Sequence, residues 1–315
     1  MTAAPAARPA RMHWRASIAA AFVVTLTRPA SWAFGLAGFL AGGGLLLVAW
    51  PILVLPTPTG LQNALGGPVS TLVFGGPSAT LVALILLTLL GIVIAVVLGA
   101  WIGAWAERQG IALVLEAAAD EGLGGPVREL VAAPGPGRIA VVRLLALAPV
   151  AVAALLAWRP LYDAAYHELI LPSDLATPLP VRVILAVPLP IAGVLVTWLL
   201  ADCAAAVAVR RLVLERRRVV TAWLLGWADL VRRPHRILPT ALIGLGVVLL
   251  LVGPPLLAAA VGWGRVREVL VEGRSPLAVL GVTATWVAIW LGGLVLAGVG
   301  AAFRAAAWTL EAARR

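Results

Sequence analysis

The chain has 315 residues, 62% of them apolar and 12% charged, with a mean hydropathy of +1.02. Soluble domains are roughly half apolar and a quarter charged, so a soluble fold is excluded and an integral membrane protein is implied. The formal net charge is +10, and all 24 basic residues are arginine. These arginines gather at the ends of apolar runs, where they act as topology signals, so nucleic-acid binding is set aside. The single cysteine, Cys203, lies inside an apolar run. It permits no intrachain disulfide and no cysteine-based metal site, and reads as a small buried hydrophobe.

The first 30 residues hold Arg8, Arg11, Arg15 and Arg28 with no acid. Their apolar stretch, Ile18 to Leu26, has the length of a signal-peptide core, with Ala30-Ser31-Trp32-Ala33 as a poor cleavage site. The helical spacing of Trp14, Ile18, Ala21, Phe22 and Thr25 favours instead an amphipathic helix in the membrane interface. Span 1 follows at about 32–55, with Gly42-Gly43-Gly44 inside it and Pro51 near its end, and then an uncharged loop, Pro56 to Ser78. Span 2, about 79–105, carries Gly99 and Gly103 at GxxxG spacing, which marks a close-packing face without naming its partner. The polar connection from Glu107 to Arg138 ends in the Gly/Pro-rich Ala133-Pro-Gly-Pro-Gly137.

Span 3 covers about 139–158, with Arg143 near its start and Pro149 at mid-depth, where a kink is expected. A loop, Arg159 to Leu179, then carries Tyr162, Asp163, Tyr166, His167, Glu168 and Asp174. One histidine with two carboxylates is a weak metal signal, and the aromatics read as an interfacial belt. Span 4, about 181–209, opens on Pro188-Leu-Pro190 and is the expected broken helix. From Arg210 to Arg236 eight arginines face two acids, Glu215 and Asp229. Between them Val220, Trp223, Leu224, Trp227 and Val231 share a helical face. Span 5, about 237–261, ends over Pro254-Pro255, and after the short loop Gly262 to Ser275 comes span 6, about 277–302.

The fold class implied is all-α: a polytopic bundle of six spans forming one membrane domain. The segment before span 1 carries a charge of +4 and the connection between spans 4 and 5 carries +6, which places both termini in the cytoplasm. A repeat is also legible. Thr27-Arg28-Pro29 precedes span 1 as Arg232-Arg233-Pro234 precedes span 5, and Leu45-Leu-Leu-Val-Ala-Trp-Pro51 echoes Leu249-Leu-Leu-Val-Gly-Pro254 and Leu155-Leu-Ala-Trp-Arg-Pro160. Three units, 1–120, 121–217 and 218–315, each read as an interfacial helix followed by a hairpin of two spans.

This layout resembles the uncharacterised bacterial six-span proteins related to the membrane domain of glycerophosphodiester phosphodiesterases. It implies a bacterial plasma-membrane protein; chemistry in that group resides in a separate soluble domain, so no catalytic residue carries over. Glu116-Ala-Ala-Ala-Asp-Glu-Gly122 is similar to the loop by which importer permeases dock on an ATPase, although the later Ile-x-Leu-Pro part is absent.

Two groups of charges are the candidate sites. Asp202 lies eight residues before Arg210, about 12 Å inside the boundary of a regular helix, and Arg143 on the preceding span lies at a comparable depth. Asp202 is therefore expected either to pair with Arg143 or to be neutral, as a structural device or as an ion or proton site. Arg210, Arg211, Arg216, Arg217, Arg218, Arg232, Arg233 and Arg236 are the candidate contacts for anionic headgroups of membrane lipids on the cytoplasmic side. No metalloprotease, nucleophile-elbow or phosphate-loop motif is present, and no cofactor is implied. The favoured role is a non-enzymatic scaffold or lipid-interacting protein; the alternative is a transporter or permease subunit with a site near the kinked spans 3 and 4 and a membrane or ATPase partner. Reporter fusions at Leu175 and at Arg217 should report opposite sides of the bilayer; the same side for both would remove the six-span layout.

Overall fold

The computed structural model describes residues 14–49, 76, 78–120, 134–171, 173–174, 177, 179–273 and 275–313. Among them there is no strand, and six helices are long and apolar enough to cross a membrane. In chain order the helices are α1 (Trp14–Thr27), α2 (Ala30–Ala49), α3 (Ala79–Asp120), α4 (Pro136–Ala146), α5 (Ala148–Ile170), α6 (Leu179–Ala186), α7 (Pro188–Leu214), α8 (Val219–Arg232), α9 (Pro234–Val271) and α10 (Pro276–Ala313). Arg8, Arg11, Pro51, the far end of span 1, most of the Pro56–Ser78 loop, Glu121 and Gly122 lie outside the described residues. So does the stretch just before Pro134, where the middle repeat should have its interfacial helix.

Several helices outrun the apolar segments that predict them. α3 continues to Asp120, through what reads as a polar connection, and α5 continues to Ile170. Tyr162, Asp163, Tyr166, His167 and Glu168 are therefore helical and not in a loop. α9 passes through Pro254-Pro255 to Val271 and stops before Gly273, whose positive φ of 62° suits a residue without Cβ at a helix end. Hydropathy marks where a helix enters lipid, whereas the backbone hydrogen-bond ladder continues until a capping or proline signal interrupts it.

The breaks are local in origin. Val187 adopts φ −131°, ψ 61° between α6 and α7, because the ring of Pro188 disfavours helical geometry in the residue before it. Span 3 breaks at Leu147, between α4 and α5. That is two residues before Pro149, which cannot return a hydrogen bond to the preceding turn. Within α2, Leu40–Gly44 is wound as a π-helix and Gly43 has φ 102°; only glycine takes that angle without strain.

The residues group into two compact units. Unit one comprises residues up to Arg28, Arg108–Gly246 and Phe303–Arg315. Its centre is α7, against which α8, α5 and α4 pack. Cys203, Ala204, Ala206 and Val207 of α7 meet Leu230 of α8, Ile237 and Ala241 of α9 and Trp308 of α10. The small side chains let backbones approach: a Cβ on Gly226 would stand 2.4 Å from the carbonyl oxygen of Ala204. Unit two comprises Pro29–Glu107 and Val247–Ala302 and uses the same device. A Cβ on Gly35 would lie 2.4 Å from the Gly298 oxygen, and one on Gly99 would lie 2.9 Å from the Ala41 oxygen. The GxxxG face of span 2 thus has its partner in α2. Phe34 and Trp105 meet edge to face, 5.6 Å between centroids.

Lipid offers no hydrophobic drive for helix association, so contacts of this kind carry the packing. Gly226→Val should lower stability by about 1–3 kcal/mol through overpacking. Gly193→Ala, where a Cβ meets nothing within 4 Å, should leave it unchanged or slightly raised; thermal unfolding in detergent measures both.

Candidate functional site

The charged end of α7 and the helix that follows it, α8, carry most of the sequence-predicted site residues. α7 ends in a tight reversal. The Glu215 amide donates to the Arg211 carbonyl at 3.1 Å and the Arg217 amide reaches the same oxygen at 3.5 Å. Arg216 between them takes φ 54° and is the one non-glycine residue with positive φ among those described. Glycine is the usual occupant of such a position. The chain then runs extended through Arg218 into α8.

Arg211 fastens the two helices. Its Nε and Nη2 donate to Asp229 Oδ2 at 2.9 and 2.6 Å, and its Nη1 donates to both carboxylate oxygens of Glu215 at 2.9 and 3.0 Å. Asp229 is 5% exposed, on the face of α8 that also buries Ala222, Gly226 and Leu230. A forked guanidinium suits this shared task, which a lysine could not perform in the same way. Arg210 is 2% exposed, and it donates to the carbonyls of Ala206 and Ala305 at 3.3 Å each. Both residues therefore fail as headgroup contacts: 210 and 211 still belong to the packed helix α7, so their side chains serve its neighbours.

The other arginines of the group lie outside the packed part of α7. Arg216, Arg217 and Arg218 before α8, Arg232 at its last position, and Arg233 and Arg236 after it are all exposed. So are Val220, Leu224 and Val231 between them, while Trp223 and Trp227 are half-buried. α8 turns mostly small residues inward, Ala222 and Gly226 beside Leu230, and turns Val220, Leu224 and Val231 outward. α1 follows the same rule, burying Ser17, Ala20, Ala21, Val24 and Thr25 and exposing Phe22, Val23 and Leu26. This splits the stripe read from the sequence, because Ala21 and Thr25 face protein while Phe22 faces away. Trp14 Nε1 donates to Thr240 Oγ1 at 2.9 Å, and Arg28 pairs with Asp120 at 2.5 Å.

Asp202 accepts from Arg304 of α10. The stem of Arg304 lies over Gly244 of α9, where an added Cβ would come within 2.9 Å of its Cγ. Arg143, the partner expected from depth, stands on α4, which packs on α7. Depth alone could have suggested Arg304 as well, since it closes span 6 as Arg210 closes span 4. A second pair was not foreseen. Glu168 lies 3.4 Å from Arg182, both side chains largely buried, and accepts from the amide and hydroxyl of Ser173 at 3.0 and 2.9 Å. The helical course of α5 is what brings Glu168 to Arg182. Asp163 faces Arg159 at 3.9 Å, and among the described residues no group of three or more His, Cys, Asp or Glu side chains could hold a metal ion.

The six apolar helices, with long stretches of exposed leucine, valine and isoleucine on α3, define a multi-pass membrane protein. No family model, curated protein or solved structure matches the chain.

Breaking a partly buried ion pair strands the remaining charge. Asp202→Asn and Arg304→Met should each destabilise by about 2–4 kcal/mol. The double variant should recover at least about 1 kcal/mol of their sum, measured as a double-mutant cycle of unfolding in detergent.

Proposed function

We propose that this is a non-enzymatic protein of the bacterial plasma membrane that engages anionic lipid headgroups through α8, with that helix and both termini on the cytoplasmic side. One observation carries the reading: α8 presents an outward apolar ridge, Val220, Leu224 and Val231, bracketed by six exposed arginines. A helix of this kind lies in the interface with its ridge among the first acyl carbons and its cations at the phosphates. Each arginine near a charged leaflet contributes on the order of 1 kcal/mol. The left-handed Arg216 supports the same reading. Glycine would fit that backbone with less strain, yet this position carries a cation. Some of the three arginines at the end of α7 also complement its negative helix terminus, a contribution that would persist in neutral lipid.

Reconstitution separates the two effects. Stability of the wild-type protein should rise with the fraction of phosphatidylglycerol in a phosphatidylcholine bilayer and fall back with added salt. Replacing Arg216, Arg217, Arg218, Arg232, Arg233 and Arg236 with glutamine should abolish that dependence; a dependence of undiminished size in the variant would end the proposal.

A second reading, a transporter or permease subunit, is favoured by the break at Val187 and by the Asp202–Arg304 pair in the same unit, since transport sites are built at interrupted helices. An ATPase partner contacting the exposed Glu116 belongs with this reading. If it holds, a substrate flux measured in proteoliposomes should be lost in Asp202→Asn while Gly193→Ala retains it.

A further inference from the structure

The end of α9 and the first part of α10 line an open groove of about 440 Å³, within the range of small-molecule sites. Its lining is largely apolar, with Val269, Ile289 and Trp286 among the contributors, and Arg265 and Glu268 belong to it as well. Trp286 is held in place. Its Nε1 donates to the Ala259 carbonyl at 2.8 Å, and it is flanked by Trp263 and Trp290 at centroid distances of 5.1 and 6.3 Å. At Gly281 the groove is open, for an added Cβ would meet nothing within 4 Å.

The charges are one cation and one anion. Arg265 Nη1 lies 2.8 Å from Glu268 Oε2, with side chains 71% and 46% exposed. An ion pair so exposed contributes little, on the order of 0–1 kcal/mol, and it opens readily for a ligand that offers both signs. Close in sequence to the lining residues, Leu270, Val271, Leu277 and Leu280 are exposed apolar side chains, a setting that suits an acyl chain and not a hydrated solute.

We propose that this groove is a binding site for a zwitterionic phospholipid. Arg265 takes the phosphate, Glu268 takes the ammonium, and the acyl chain runs along Val269, Ile289 and Trp286. A purely anionic lipid would leave Glu268 facing a like charge, and a solute without a tail would leave the apolar lining wet. The site does not rest on α8 or its arginines.

The test uses the full chain in nanodiscs containing phosphatidylethanolamine with a diazirine in its acyl chain, or phosphatidylglycerol carrying the same label. Peptide mapping should place the ethanolamine-lipid crosslink within residues 262–289, at about fivefold the yield of the glycerol lipid, the equivalent of about 1 kcal/mol. Gly281→Trp, which fills the open space, should remove the crosslink. The exposed double variant Arg265→Gln/Glu268→Gln, which has little reason to misfold, should erase the preference between the lipids. Equal labelling by both lipids in the wild type, or an unchanged preference in the double variant, would overturn the proposal. Neutralising the six arginines around α8 should leave this crosslink untouched, so failure at the groove and failure at α8 are read separately.

Discussion

The alanine face of α7 is the constraint on which unit one depends. Between Ala201 and Ala208 the buried side chains are alanine, cysteine and valine, so neighbouring helices can come close to the backbone of α7, and α8 does so at Gly226. In a bilayer this closeness replaces the hydrophobic drive that a soluble core would use, and its return is dispersion energy summed over many contacts. Close approach also decides the fate of the charges. Arg211 can reach Asp229 because α8 lies directly on α7, and Arg210 can reach the Ala305 carbonyl. Larger residues on that face would push the partners beyond hydrogen-bond range.

The same arithmetic of side-chain size governs the surface helices. α1 and α8 bury mostly small residues, with Leu230 of α8 the large exception, and expose several large apolar ones, the reverse of a helix packed on a soluble core. An amphipathic helix in water hides its bulky residues against protein. Here the apolar medium is outside, so bulky residues go outward and the protein side is chosen for fit. The division of the eight arginines into two inward and six outward follows from where α7 ends.

Much of this was legible in the chain. Six apolar runs, the presence of a segment before span 1 and another before span 5 with helical spacing, and the break before Pro188 are local properties, each readable within a few residues from hydropathy, periodicity or proline geometry. The kink near Pro149 was also foreseen, displaced by two residues. What could not be read were helix ends beyond the apolar segments, since Asp163, His167 and Glu168 are polar whether helical or looped. The partner of Asp202 was equally hidden, because residues 202 and 304 meet only through the rotation of two helices about their own axes.

Sequence alone determined that this chain enters lipid, how many times it can cross, and where its backbone must bend, because burial in hydrocarbon and the chemistry of proline act on short stretches. Tertiary structure alone decided which arginines are staples and which are exposed, which face of each surface helix turns outward, and that Arg265, Glu268 and Trp286 share a groove. Those outcomes depend on helix rotation and approach, which small-residue contacts between distant parts of the chain set.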